Sequence, residues 1–571
     1  MSLMSGLYVG TSGLQTSQNA LNTTAHNLSN VETAGYTRQQ VLQEDRFYTN
    51  FGNRKVAPLQ TGLGVEYAKV RQVRDDFLDQ SYRSEAGRSA FYDIKMEATN
   101  ELETLLGEFD GVAFQDSLSN LWTVVQELEK DPSSAVIQGS LVATASQFID
   151  RAQAVYDGLT SYQDNLNAQV KDQVKKINDL GNTIYELNIK IQQEEVGNVS
   201  EANDLRDQRN QALDELAGLA KISYSTNADG GVEVMIEGYS FVARDRVFNI
   251  NLAQDSQTGF YTPVWDEPTE DGTYKHPVYK FETEDKINSE RNSDIGQLKS
   301  LILARGDRRA NYTDLENDAY KKGLYPDPAD PTNTKEGVAT ETSIVMEVQA
   351  ELDNLVHSIV TEINNILTEE KSKIDAHSKD PSNPVPEYSS YDDCPRDWEL
   401  FQRLGTQRYE DDGSGTYKYV AENTDNPHGD ITKMFTLGNI KINPDLLQEP
   451  TLLSFVNKDK TVMHDKAEAL TDAFSNTFGS LNPNYKQDLN YADYYSSMVG
   501  RIATQGSVYD SISRAQQAVV LQVDEARQSI AGVSSNEELS NMIKFQNAFN
   551  ASSRYINALN SMLEDLLNKL S

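Results

Sequence analysis

The stretch that most constrains this chain is its last one, residues 536–570. There apolar residues recur every seven positions at Met542, Phe549, Ile556, Leu563 and Leu570. A second row, Phe545, Leu559 and Leu566, runs three residues later and is broken once by Ser552. Seven residues are nearly two helical turns, so both rows lie on one side of a helix and form a coiled-coil seam. Ser534, Ser535 and Asn536 are N-cap candidates, and Glu537 and Glu538 suit the positive end of the helix dipole. The helix would be a rod of about 50 Å. Such a seam requires a partner.

The other end of the chain offers one. Leu7, Leu14, Leu21 and Leu28 repeat with the same period, Leu3 extends their face, and the opposite row of Gly10, Ser17 and Thr24 is small or polar. Residues 1–31 contain no Asp, Glu, Lys or Arg; the first charged residue is Glu32. Taken alone, the segment reads as a solvated helix or an unstructured leader. The matching row at the far terminus favours two paired terminal helices. The uncharged outer face can then be covered by other copies without burying ions, which would cost several kcal/mol each.

At 571 residues the chain exceeds what one core serves, so three or four domains are expected. Lys and Arg number 51 against 87 Asp and Glu, a net charge of −36. That balance argues against nucleic acid, whose phosphates need a basic face, and would keep the chain soluble at high concentration. The single cysteine, Cys394, excludes an internal disulfide and a thiolate zinc cluster. The N-terminus has no basic n-region or continuous apolar h-region, so no Sec signal is expected. No run approaches the 18 or more apolar residues of a membrane helix.

Residues 22–40 carry Asn27, Asn30, Thr33, Gly35 and Tyr36 behind the charge-free helix. Gly35 can take positive φ and end the helix, while Tyr36 anchors the exit. This Asn-rich helix end and turn resembles the N-terminal signature of the rod–hook–junction family of bacterial flagellar axial proteins, with Ala34 where proline is common. Residues 38–74 read as an extended, turn-rich connector, and the chain is then mostly helical to Leu219. Within it Val170, Ile177, Ile184 and Ile191 form one row and Leu166, Leu180 and Leu187 another, suiting a slender bundle.

Residues 201–216 place Leu205, Ala212, Leu213 and Leu216 on one face, with Asp204, Arg206, Asp207 and Arg209 around it. From the residues alone this is a helix with intrahelical ion pairs worth tenths of a kcal/mol. Asn203-Asp204-Leu205-Arg206-Asp207-Gln208-Arg209 also closely resembles a helix of the junction members of that family, absent from rod and hook members, with Asn210 replacing a final Asp. Short alternating strands between Gly-containing turns follow at 222–284. Residues 532–563 match the family's C-terminal signature: Gly532-Val533, the acidic pair, Phe545-Gln546, Ala551-Ser552 and the apolar tail.

The six histidines (His26, His276, His357, His377, His428 and His464) are scattered without metal-ligand spacing. No metalloprotease, nucleophile-elbow, P-loop or EF-hand pattern is present. We therefore expect no catalytic, cofactor or metal residues.

The expected fold is mainly α with β-rich insertions. Its parts are a terminal helix at 1–35 pairing with 536–571, a helical rod domain at 36–221, and a small antiparallel outer domain at 222–293. Return helices follow at 294–370 with an insert at 306–340, then a variable outward insert at 371–435 and a return to the rod at 436–535. The resemblance implies a structural protein of the hook–filament junction, found outside the cell in the flagellum and exported without a cleaved signal. It implies as partners copies of itself in a ring, hook protein below, a second junction protein and the filament above, and an export chaperone, with no nucleic acid and no membrane. The expected assembly residues are Leu7, Leu14, Leu21, Leu28, Met542, Phe545, Phe549, Ile556, Leu559, Leu563 and Leu566. The alternatives are a hook or rod protein, or an enzyme or adhesin displayed on an axial scaffold, with 371–433 as its active module.

Overall fold

A computed structural model describes residues 3–51, 59–107, 113–196, 201–269, 272–281, 287–368, 387–390, 394, 398–411, 413–453, 455–456 and 460–570. In chain order, helix α1 (Leu3–Ser29) precedes strands β1 (Gln39–Asp45), β2 (Tyr48–Phe51), β3 (Leu59–Gly62) and β4 (Val65–Gln72). Helices α2 (Asp76–Leu106), α3 (Phe114–Lys130), α4 (Ala135–Glu194) and α5 (Asn203–Leu219) follow. Six strands come next: β5 (Ile222–Thr226), β6 (Val232–Ile236), β7 (Tyr239–Val242), β8 (Asn251–Gln254), β9 (Tyr261–Thr269) and β10 (Gly272–Pro277). Then come α6 (Gln297–Arg305), α7 (Asn317–Lys322), the hairpin of β11 (Leu324–Asp327) and β12 (Asp330–Glu336), and α8 (Ile344–Leu367). Short strands β13 (Glu387–Tyr388), β14 (Phe401–Arg403), β15 (Tyr409–Asp411), β16 (Tyr417–Tyr419) and β17 (Ile440–Ile442) lead to α9 (Pro444–Gln448) and α10 (His464–Ser475). Two long helices, α11 (Tyr491–Ala531) and α12 (Ser535–Leu570), end the chain. The fold is mainly α with small antiparallel sheets.

Two compact units are formed, one from Met1–Ala90, Lys175–Ile250 and Arg514–Ser571, the other from Phe91–Val174 and Asn251–Ser513. In the first, α1 packs along α12, and β1 pairs antiparallel with β4 beside α1. The sheet β5–β6–β7 buries Val232, Val234, Ile236 and Phe241. The end of α4 receives it: Gly181 lacks the Cβ that would clash with the Phe241 ring. Asn188 of α4 donates Nδ2 to Val232 O (2.8 Å) and accepts from Val232 N (3.0 Å). Asn178 does the same for Ile250. Each side-chain amide bonds both backbone groups of a residue beyond the reach of a β-ladder, Val232 before the β6–β7 pairing begins and Ile250 just ahead of β8.

The second unit is organised on α8, whose residues Ile344–Asp353 are all buried. This half of the helix is closed in on every side, so its polar residues need partners. Arg501 donates to both Glu347 (2.7 Å) and Glu351 (2.6 Å), while Tyr320 and Asn482 bond the same carboxylates. Asp353 accepts from the amides of Tyr312 (3.0 Å) and Leu437 (2.7 Å).

Two expectations are corrected here. Residues 222–293 are not one β domain: β5–β7 belong to the first unit, and the separate sheet β10–β9–β8 to the second. The continuous run of turn-flanked strands carries no mark of where one sheet ends. Nor do residues 371–435 form an outward module, so far as they are described. Leu400 and Phe401 are fully buried, β14 pairs with β17, and Asn364 of α8 bonds both backbone groups of Phe401. Glu422 accepts from Tyr312 Oη (2.8 Å) and lies 3.0 Å from His357 Nε2. Burial would raise the Glu422 carboxyl, but His357, the Phe435 amide and Tyr312 hold it below its ordinary value. This segment docks on α8. Residues 369–386, the rest of its start, lie outside the described residues.

Candidate assembly interface

The terminal helices are antiparallel. Gly6 sits against Tyr555 and Leu559, Gly10 against Ile556, and Gly13 against Ser552. On α12 the expected seam faces α1: Met542, Phe545, Phe549, Ile556 and Leu563 are half-buried, and Leu559 is buried. Leu566 is exposed, because the register that sets Gly6 beside Leu559 carries Leu566 beyond Leu3. The side chain of Leu570 lies outside the described residues.

On α1 the expected seam is displaced. Leu7, Leu14, Leu21 and Leu28 are half-buried flanks, whereas Gly6, Gly10, Ser17, Ala20, Thr24 and Asn27 are buried along the middle of the contact. Gly10, Ser17 and Thr24 are therefore not the outer face. Small residues let two backbones approach closely, and the large side chains of α12 fill the space so opened. The signal was present in the sequence, since Gly6, Gly13, Ala20 and Asn27 also recur every seven positions beside Gly10, Ser17 and Thr24. The residues that remain exposed on α1, among them Tyr8, Thr11, Gln15, Gln18 and Asn22, are uncharged.

The turn after α1 binds four elements. Asn27, 1 % exposed, accepts from Tyr36 Oη (2.8 Å) and Gln39 N (3.0 Å) and donates to Gln39 O (2.9 Å). Burial pushes the Tyr36 hydroxyl up, so it stays protonated as a donor. Thr33 bonds Asn30, and Gly35 takes φ +79°. Arg38 N donates to Ala531 O (2.8 Å), and its guanidinium lies 2.9 Å from Glu537 and 3.8 Å from buried Glu538. Thr37 bonds Asp207 through both its amide (3.1 Å) and its hydroxyl (2.6 Å).

Helix α5 thus uses its charged residues between elements, not along itself. Asp207 also accepts from Gln72 (2.8 Å), and Asn203 donates to Val70 O (3.2 Å). On the opposite side, buried Arg209 donates to Asn188 Oδ1 (3.0 Å) and Gly230 O (2.7 Å), and Arg206 pairs with Glu195 (2.7 Å). Asp204 is exposed, 3.5 Å from Gln39, and Leu205 is half-buried. The expected intrahelical ion pairs give way to these ties because Asn203, Asp207 and Arg209 lie on the buried side of the helix, facing other elements. Thr37, Arg38 and Gln72 carried no periodic signal and were not anticipated.

Among the described residues, no group of three or more His, Cys, Asp or Glu is placed to hold a metal ion, and no helix is long and apolar enough to cross a membrane. Residues 7–37 match the family described as flagella basal body rod protein, and residues 525–570 match the flagellar basal body rod FlgEFG protein C-terminal family. With both ends of the chain paired in this way, the protein is a flagellar axial protein, a structural component of the bacterial flagellum.

Residues 99–372 match the flagellar hook-associated protein FlgK helical domain. Flagellar hook-associated protein 1 of Bacillus subtilis strain 168 is 24 % identical over 99 % of this chain and 97 % of its own. The proteins of that name from Escherichia coli K12 and Salmonella typhimurium LT2 are 23 % and 22 % identical, each over 98 % of both chains. The structure of the flagellar hook junction protein FlgK from Burkholderia pseudomallei aligns with 80 % of this chain and all of its own, at 14 % identity and a TM-score of 0.48. The chain belongs to the flagellar hook-associated protein 1 family.

Proposed function

We propose that the α1–α12 pair is the element by which copies of this chain join into a ring at the tip of the hook, forming the hook–filament junction. The observation that carries this reading is the surface the pair leaves uncovered. The exposed face of α1 bears no charge, and α12 exposes Leu539, Ile543, Met562, Leu566 and Leu567. Such a surface is costly in water and inexpensive against copies of itself. Hook protein would lie below the ring, with the second junction protein and the filament above it. A dedicated chaperone would cover this surface before export.

Cells lacking the protein should build hooks of normal length, grow no filament, and release filament subunits as monomers. Truncating the chain before Met542 should reproduce this defect while the second unit remains folded. Full-length filaments in the deletion strain would overturn the reading, and absence of the hook would favour a hook or rod role.

A further inference from the structure

The best-marked motif in the chain, Asn203–Arg209, has no direct part in that surface, yet its geometry points to a task. Asp207 is 9 % exposed and takes three hydrogen bonds, from Thr37 N, Thr37 Oγ1 and Gln72 Nε2. Thr37 follows the turn from α1, and Gln72 ends β4, so one carboxylate gathers the strands that enter and leave the connector. Arg74 stands 3.7 Å away and also donates to Thr37 Oγ1 (3.0 Å). Two residues further along α5, Arg209 ties the helix to Asn188 and Gly230. One side of the motif holds the body of the unit, and the other holds the root of the terminal pair.

Apolar packing contributes little at this root. The turn at 30–38 and the link at 531–534 border an open groove of about 960 Å³ that also exposes Asn210, Gln211 and Glu215. Where solvent fills one side of a joint, directional hydrogen bonds fix its angle. A carboxylate suits the place because it accepts from an amide, a hydroxyl and a side-chain amide without bringing a donor of its own. An asparagine would aim an N–H at one of these donors.

We infer that Asp207 is a positioning residue that fixes the direction in which the α1–α12 pair leaves α5. The inference deepens the assembly reading and rests on it, since direction matters only if the pair must meet neighbouring copies. Ala212, Leu213 and Leu216, which bury α5, lie on other turns, so loss of Asp207 frees the joint without unfolding the helix.

The test uses the full chain with Cys394→Ser and spin labels on cysteines placed at exposed Asp179 of α4 and Ser561 of α12. Double electron–electron resonance on the isolated chain reads the distance distribution between them. Asp207→Ala should broaden it about twofold, as one orientation becomes several, with helix content retained. Thr37→Val with Gln72→Ala removes the two side-chain bonds from the other side, leaving only the Thr37 amide on Asp207, and should also broaden it, though less. Distributions as narrow as the parent's in both variants would overturn the inference, as would broadening that appears only with loss of helix content. Broadening with normal junctions in cells carrying Asp207→Ala would support the positioning role and count against the pair as the assembly element.

Discussion

Gly10 of α1 lies so close to Ile556 of α12 that a Cβ on it would stand 2.7 Å from Ile556 Cγ1. Cγ1 is held close to the α12 backbone by a stiff β-branched side chain, so this contact limits both the spacing and the register of the terminal pair.

Gly10→Leu should therefore separate the helices. Overpacking of this kind costs about 1–3 kcal/mol, and α1 has few other apolar contacts to hold it. Amide hydrogen exchange across α1 should rise toward the free rate, while α8 keeps its protection. Unchanged protection in α1 would show that the pair tolerates a wider spacing. Gly13→Ala should be milder, since its Cβ meets the hydroxyl of Ser552, which can rotate away.

Charge on the two faces of α1 should act differently. Ser17 and Thr24 are 7 % and 3 % exposed, so Ser17→Lys or Thr24→Glu should loosen the pair in the isolated chain, read by the same exchange. Gln15→Lys and Gln18→Lys lie on the exposed face. They should leave the isolated chain unchanged and reduce incorporation into flagella. Normal incorporation with both would mean that this face stays wet in the assembly.

Arg501 is shared by two carboxylates in the fully buried first half of α8. Arg501→Met should destabilise the second unit by about 3–5 kcal/mol, because it strands buried negative charge. Adding Glu351→Gln should recover part of the loss in urea unfolding. No recovery would mean that the cost lies in lost packing of the arginine stem.

Asp353 gives a pH dependence of definite sign. Burial raises its carboxyl from 3.8 to about 6, against the two amides that bond it. A carboxyl that holds its proton more tightly when folded contributes stability that is complete below pH 3.8 and is lost as pH rises to about 6. The stability of the parent over Asp353→Asn should therefore shrink across that window. A constant difference would show that Asp353 titrates normally.

The heptad row on α12 and the charge-free N-terminus were legible in the sequence because both are periodic and local. The turn at Gly35 was legible for a related reason: a glycine at φ +79° leaves a compositional mark. Which stripe of α1 faces its partner was not. Two rows repeat every seven residues there, one of leucines and one of small residues, and hydrophobicity favours the leucines. The large side chains of α12 decide otherwise, since they fill the space over glycines and are obstructed by leucines. Asp207 shows the same division. Sequence marked the motif, but the bonds from Thr37 and Gln72 span 170 and 135 positions.

By itself the sequence determined which segments are helical, that the two ends must pair, and that the N-terminal one carries no charge, because propensity and periodicity act within a few turns of chain. Only the tertiary structure decided the seam on α1, the split of the strand region into two sheets, and the docking of residues 398–443 on α8. Each depends on shape and hydrogen-bonding groups brought together from distant positions, where one buried amide or carboxylate without a partner costs more than any local preference can offset.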